Sequence, residues 1–287
     1  MKRKKAANKV SCLLILVLLA GLVFGCPLKK EPEETAAEPP PLDGESLVKK
    51  AEEEGSALKH LDAKLKATLK GGSAPYQGRF FGSILMERGD TEGVNLLLQV
   101  YNMAGVPVLE LVSKGRRVQV FSPLNDTVFV NFTRFASGDK MDEFPSSSFS
   151  EVSLPLEVLI EQIGLIMGKG FSQDYRYKLT ERDDYYQLTE WDGDVRRREI
   201  EYNRPGLSLR RVRSYRGGIL LGSMKCSKHV NGPGPLQVPS RVVLSQDEME
   251  LTLELSKLRF NKEVKGENVS FRDPQDARVI LLTPPVP

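Results

Sequence analysis

Residues 249–255 alternate strictly. Met249, Leu251, Leu253 and Leu255 are apolar, and Glu250, Thr252 and Glu254 between them are polar, the period of a strand with one face buried. Less regular versions of this pattern run over 79–87, 95–101, 108–112, 117–121, 127–132, 175–181, 185–190, 195–202, 207–215, 219–230 and 241–245. Turn signals separate them: Gly89-Asp90, Lys114-Gly115, Pro123-Leu124-Asn125-Asp126, Asp183-Asp184, Asp192-Gly193, Arg204-Pro205-Gly206, Gly217-Gly218 and Gly232-Pro233-Gly234-Pro235. Turns spaced by roughly 8–12 residues predict an antiparallel meander. A sheet of about ten strands or more curls or closes, so the meander is expected to curl.

Two segments carry a helical period instead. Starting at Asp43, Gly44 or Ser46, the residues Leu47, Ala51, Leu58, Leu61, Leu65 and Leu69 recur at helical steps. This predicts a long amphipathic N-terminal helix, interrupted at Gly55-Ser56 and stopped by Gly71-Gly72. The stretch 155–167 begins with Pro155 and is apolar over most of its circumference, which predicts a deeply buried helix inserted between two sets of strands. The expected fold class is mainly β with helices (α+β): a curled antiparallel half-barrel plugged by an N-terminal helix and a buried inserted helix.

The chain ahead of this domain divides in two. Residues 1–25 open with Lys2, Arg3, Lys4, Lys5 and Lys9 and continue through an apolar run, the layout of a secretory signal. Its apolar stretch is short beside the about 20 residues a membrane span needs. Val23-Phe24-Gly25-Cys26 resembles a bacterial lipobox, in which a small residue precedes a cysteine that is acylated and becomes the mature N-terminus. The expectation is a lipid anchor, such as palmitate, on Cys26 rather than simple secretion, with the protein held on the cell envelope. Pro27 rather than Asp after the cysteine leans toward the outer membrane, facing the periplasm. Residues 26–44 are rich in Pro and Glu and form a tether. At about 3.1 Å per residue it could hold a domain roughly 50 Å from the bilayer. The domain proper is expected over 45–287.

This division changes how composition is read. The net charge of +3 comes from 41 Lys+Arg against 38 Asp+Glu, and the five basic residues of the signal leave with it, so the mature chain is slightly acidic. Nucleic acid is excluded as a partner by export. Of three cysteines, Cys12 leaves with the signal and Cys26 takes the lipid. Cys226 then has no partner for an intramolecular disulfide, and two histidines, His60 and His229, without a C-x-x-C pair build no recognised zinc spacing. Neither a metal nor another cofactor is expected.

The stretch Tyr101-Asn102-Met103-Ala104-Gly105-Val106-Pro107-Val108-Leu109-Glu110-Leu111-Val112-Ser113-Lys114-Gly115, followed by Arg117 to Pro123, resembles the strand, loop, strand and turn of the lipoprotein carrier and receptor superfamily of the bacterial envelope, the LolA/LolB-like fold. The family often has proline and leucine where this chain has Met103-Ala104. Residues 274–282 resemble the end of such domains, and the likeness, one of layout, covers about 47–282. It implies a hydrophobic cavity between sheet and helices that takes acyl chains of a lipoprotein or other lipid and assists their localisation. The candidate liners are Phe81, Leu85, Leu96, Leu98, Val100, Leu109, Leu111, Ile160, Ile163, Met167, Leu251 and Leu253, each of which could equally be plain core. Receptor members of the family insert an exposed apolar loop into the membrane; Met103, Val106 and Pro107 are the candidates here, with a buried turn as the other reading.

Other features carry less. Arg196-Arg197-Arg198 and Arg210-Arg211 with Arg213 and Arg216 are expected to form cross-strand ion pairs with Glu181, Glu190, Glu199 and Glu201 on a solvated face rather than a phosphate or headgroup site. Asp183-Asp184 and Asp192-Gly193-Asp194 lack EF-hand spacing and read as hairpin turns. There is no G-x-S-x-G, H-E-x-x-H or P-loop. A non-enzymatic role is therefore expected. The alternative to the carrier is a structural or assembly lipoprotein with a closed core, acting through its surface on other envelope proteins.

Overall fold

Asp43 caps the first element of the domain. Its side chain accepts a hydrogen bond from the Ser46 backbone N–H at 2.7 Å, an N-cap that starts helix α1 (Gly44–Ser56). The computed structural model describes residues 43–71, 78–89, 93–115, 117–122, 127–132, 159, 162–204, 206–262, 269–271 and 278–281. Contacts group Leu42–Pro287 into one unit and Met1–Pro41 into another, and the description concerns the first. The expected signal, Cys26 and the expected tether as far as Leu42 lie outside the described residues, as does Ile160.

Among the described residues fourteen strands form one sheet: β1 (His60–Lys70), β2 (Gly78–Arg88), β3 (Val94–Tyr101), β4 (Pro107–Lys114), β5 (Arg117–Ser122), β6 (Thr127–Phe132), β7 (Arg176–Glu181), β8 (Tyr185–Asp192), β9 (Val195–Asn203), β10 (Leu209–Arg216), β11 (Ile219–Asn231), β12 (Gln237–Gln246), β13 (Met249–Phe260) and β14 (Arg278–Leu281). Their order is β14-β6-β5-β4-β3-β2-β1-β13-β12-β11-β10-β9-β8-β7. Two meanders therefore lie side by side, joined where β13 returns to pair with β1. Neighbouring strands run antiparallel throughout, except that β14 lies parallel to β6. Among the described residues the architecture is mainly antiparallel β with few helical residues, an open curled sheet with β14 and β7 at its edges.

The N-terminal helix is shorter than its period predicts, and this is a correction. α1 ends at Ser56, and Leu61, Leu65 and Leu69 belong to β1. A spacing of four satisfies both a helix and a strand. Ala63 and Ala67 decide, because they are buried on the same face as the leucines and complete a period of two. β13 and β2 flank β1 along nearly its whole length, with Leu65 opposite both Leu255 and Gly82. Of the inserted helix, Leu159, Gln162 and Ile163 are helical and run into a 3-10 turn, Gly164–Met167; the rest of 155–161 lies outside the described residues.

The main core lies on one face of the sheet, the inner face. Leu61, Ile84, Leu98, Leu111, Val120, Leu188, Ile200, Val212, Met224, Leu244 and Leu253 supply it from β1–β5 and β8–β13, and Leu47 and Ala51 of α1 close on it with Ile163, Leu165, Ile166 and Met167. A smaller cluster sits on the outer face, where Val269 and Phe271 cover Leu85, Leu97 and Val112. This second cover explains why Ile84, Leu85 and Met86 are buried in succession.

Candidate functional site

The inner face of β1–β5 and β13 is a wall of aliphatic side chains placed by strand alternation. Leu96, Leu98 and Val100 on β3 face Leu109 and Leu111 on β4 through the pairs Leu98↔Leu111 and Val100↔Leu109. Leu251 and Leu253 stand opposite Leu69 and Ala67. These predicted liners and Ile163 and Met167 join one buried cluster.

Two predicted liners point elsewhere and are corrected. Phe81 pairs with Tyr101, out of step with the inward-facing Ile84, and is 44% exposed on the outer face. Leu85 is buried, but on the outer face under Val269. The parity of a strand sets both: one residue's shift from Ile84 reverses the face.

Over this wall, α1 and the 3-10 turn are held to each other by backbone contact. A Cβ on Gly55 would lie 2.4 Å from the Met167 carbonyl oxygen, and one on Gly168 would lie 2.3 Å from the Ala51 carbonyl oxygen. Only glycine admits that approach. Arg88, the last residue of β2, clasps the pair: its Nη1 donates to Gly55 O at 3.1 Å and to Met167 O at 2.7 Å. Both carbonyls lie at the ends of helical segments, so a cation there also meets the negative ends of two helical turns. Burial lowers the Arg88 pKa, opposed by the nearby Glu52 charge.

The inner face also holds a polar group that the sequence reading places on the solvated side. Arg198 donates through Nε to Glu190 Oε1 at 3.0 Å and through Nη2 to Glu190 Oε2 at 2.5 Å, and Nη2 also meets the Gly170 carbonyl. Glu190 is 1% exposed. Parity carried from Leu188 and Ile200, both inward, is the signal that finds this pair. Tyr177, beside it, exchanges hydrogen bonds with the Ser172 backbone through its hydroxyl, and burial raises its pKa, with the Glu190 charge adding to the shift. Tyr202 is buried as well, its hydroxyl has no hydrogen-bond partner, and burial raises its pKa. Gln162 donates from Nε2 to Ser214 Oγ at 2.7 Å, tying the inserted segment to β10.

On the outer face the arginines do form the expected ion-pair lattice. Glu199 accepts from Arg196 at 2.8 Å and Arg213 at 3.1 Å, and Glu201 accepts from Arg213 at 3.1 Å. At neighbouring strand ends Arg204 lies 3.5 Å from Glu181, which stands opposite the inward-facing Tyr186, and Arg210 lies 2.7 Å from Asp184. Guanidinium groups of Arg196, Arg197 and Arg210 stack on Tyr215, Tyr175 and Tyr185. Such a face is neutralised internally rather than presented to an anion.

Other features are accounted for by position. Met103 is 70% exposed in the β3–β4 loop, and Val106 and Pro107 are exposed with it, so the loop is not a buried turn. A groove of about 650 Å³ runs between the α1 N-terminus and edge strand β7, lined by Asp43, Gly44, Tyr177, Leu179, Glu181 and Trp191 among others. His229 Nε2 lies 2.8 Å from the Leu209 carbonyl oxygen, and His60 lies 3.9 Å from Glu87. Cys226 is buried and unpaired, and burial pushes its thiol up to about 12. Among the described residues no group of three or more His, Cys, Asp or Glu could hold a metal ion, and no helix is long and apolar enough to cross a membrane.

No family model matches the chain, and no curated protein matches it in sequence. Solved structures match it in fold. A domain assigned to an outer-membrane lipoprotein-sorting protein from Vibrio parahaemolyticus is 12% identical, with a TM-score of 0.53 over 78% of this chain and 94% of that one. A DUF1329 family protein from Desulfovibrio piger is 12% identical, with a TM-score of 0.51 over 76% of this chain and 92% of that one. A LolA superfamily protein from Nitrosomonas europaea, 13% identical, covers 78% of this chain and 96% of its own length at a TM-score of 0.45. The fold is like that of the Vibrio lipoprotein-sorting domain and the Desulfovibrio DUF1329 protein, and at 12% identity the likeness concerns the fold alone.

Proposed function

We propose that the protein is a lipid-anchored lipoprotein of the bacterial envelope that houses acyl chains of a lipoprotein or lipid between the inner face of its half-barrel and a cover made of α1 and the inserted segment. It assists their localisation and performs no catalysis. Cys26 carries the anchor, in the outer membrane facing the periplasm, and the β3–β4 loop with Met103, Val106 and Pro107 touches that membrane. The observation that carries this reading is the clasp. An aliphatic wall is covered by two helical segments joined to the sheet's β2 strand through the side chain of Arg88. Such a cover can open without dismantling the sheet. A sixteen-carbon chain entering there would gain on the order of 10 kcal/mol before ordering costs.

The test is direct. The chain with Cys26 replaced is purified from envelope extracts and weighed by native mass spectrometry, then titrated with a fluorescent fatty acid. A co-purifying acyl species or saturable uptake is expected. A preparation that carries no acyl ligand and shows no saturable uptake sinks the carrier reading. One observation favours the second reading, a structural or assembly lipoprotein with a closed core: none of the described inward-facing liners is more than 9% exposed. Stoichiometric capture of other envelope proteins, without acyl ligand, would support it.

A further inference from the structure

Antiparallel strands put alternate turns at opposite ends of the sheet, and the pairings place the β1–β2, β3–β4, β8–β9, β10–β11 and β12–β13 connections on one rim. Among the described residues the large hydrophobic side chains that are exposed are Phe81, Met103, Val106, Val195, Ile219 and Leu220. All six lie on or next to that rim. Phe81 stands opposite Tyr101 at the foot of the β3–β4 loop, Val195 follows the β8–β9 turn, and Ile219 and Leu220 follow Gly217-Gly218 at the tip of the β10–β11 hairpin. The opposite rim carries Asp183, Asp184, Arg204, Asn231 and Lys262 in its turns and ends. No exposed large hydrophobic is found there among the described residues.

The chain enters the domain at the same rim. Gly44 packs against the Tyr177 backbone, next to Arg176, whose guanidinium reaches the Gly193 carbonyl and Asp194 of the β8–β9 turn. The expected tether, which begins at Cys26, is therefore joined to the domain at the rim that bears the apolar tips.

We propose that the β10–β11 tip is a bilayer contact: Ile219, 76% exposed, and Leu220, 51% exposed, enter the acyl–headgroup boundary and orient the domain rim-down. This contact is separate from the β3–β4 loop and does not depend on acyl cargo. Two side chains on a hairpin tip offer far less surface than the roughly 1,000 Å² a specific protein interface requires. A bilayer asks for no complementary shape, only apolar area at the boundary depth. The position of the chain's entry favours the membrane over a second copy or a soluble partner, and this rests on the anchoring proposed above: an anchor at Cys26 ties this rim, rather than the opposite one, to the surface that holds it.

The experiment uses the full chain reconstituted in phosphatidylethanolamine–phosphatidylglycerol vesicles whose acyl chains carry bromine. Ile219→Trp and, separately, Leu220→Trp add a reporter at the tip, and Lys262→Trp adds one on the opposite rim; the unaltered chain, with Trp191 alone, sets the baseline. The added tip fluorescence is expected to be quenched by brominated lipid at least about twofold more than that of Lys262→Trp and to be shielded from aqueous iodide. Tip reporters that remain open to iodide and unquenched by bromine overturn the proposal. Shielding from iodide without bromine quenching also overturns it, and assigns the tip to a protein contact.

Discussion

Arg88 Nη1 lies 2.7 Å from the carbonyl oxygen of Met167, and the same nitrogen reaches Gly55 O at 3.1 Å. One side chain thus joins the end of β2 to the ends of both helical segments. Arg88→Leu removes the donor from two partly buried carbonyls, a cost of about 1–3 kcal/mol. Hydrogen exchange is expected to accelerate in α1 and in 164–168 while β8–β12 keep their protection. Uniform loss of protection across the sheet would show that Arg88 supports the whole fold rather than the cover.

Gly55→Ala tests the glycine contact without altering any charge. The new methyl would stand 2.4 Å from Met167 O and 2.5 Å from Gly168 N, with backbone on both counts, so neither can rotate away. The helix and turn must separate, at about 1–3 kcal/mol. Denaturant unfolding is expected to show that loss. A Gly55→Ala protein as stable as its parent would mean that α1 tilts freely on its seat.

Glu190 and Arg198 face the core together, which predicts strong non-additivity. Replacing Glu190 alone with Gln, or Arg198 alone with Met, strands a buried charge and is expected to cost about 3–5 kcal/mol. Replacing Glu190 with Leu and Arg198 with Met together removes both charges and should recover most of it. A double-mutant cycle of Glu190→Leu, Arg198→Met and the two together, read by urea unfolding, checks this; additive losses would place water, rather than core, around the pair.

Cys226 gives a pH dependence with a definite sign. Burial raises its thiol pKa to about 12 from the ordinary value of 9.0. Below pH 9 the thiol is neutral in both states and contributes no slope. Between about pH 9 and 12 the unfolded thiol ionises while the folded one does not, so stability falls as pH rises. Cys226→Ala is expected to lose less stability than the parent between pH 8 and 11, measured by urea midpoints. Equal pH dependence in the two proteins would contradict the burial of the thiol.

Where one strand face is plainly apolar the sequence is legible, as in Met249–Phe260, and the predicted strand at 127–132 has the bounds of β6. Sequence reasoning fails at Leu61, Leu65 and Leu69 because their spacing suits two periods and the arbiters, Ala63 and Ala67, are small enough to pass as neutral. It fails at Leu85 because Ile84, Leu85 and Met86 are all apolar and carry no parity. It places Glu190 and Arg198 outside because charged residues are expected in water, although their step from Leu188 and Ile200 already turns them inward.

Local pattern and turn chemistry were enough for a curled antiparallel meander, a helix opening between Asp43 and Ser46 and the outer-face arginine–glutamate lattice. These rest on residues near one another in the chain or on strands joined by short turns. Contacts between distant segments had to be seen in the fold: β13 beside β1, Val269 over Leu85, Gly55 against Met167 under Arg88, and the apolar tips gathered on one rim. Each depends on which strand lies beside which and which face receives a second cover, and strand order is set by the free energy of the whole sheet, which no local window contains.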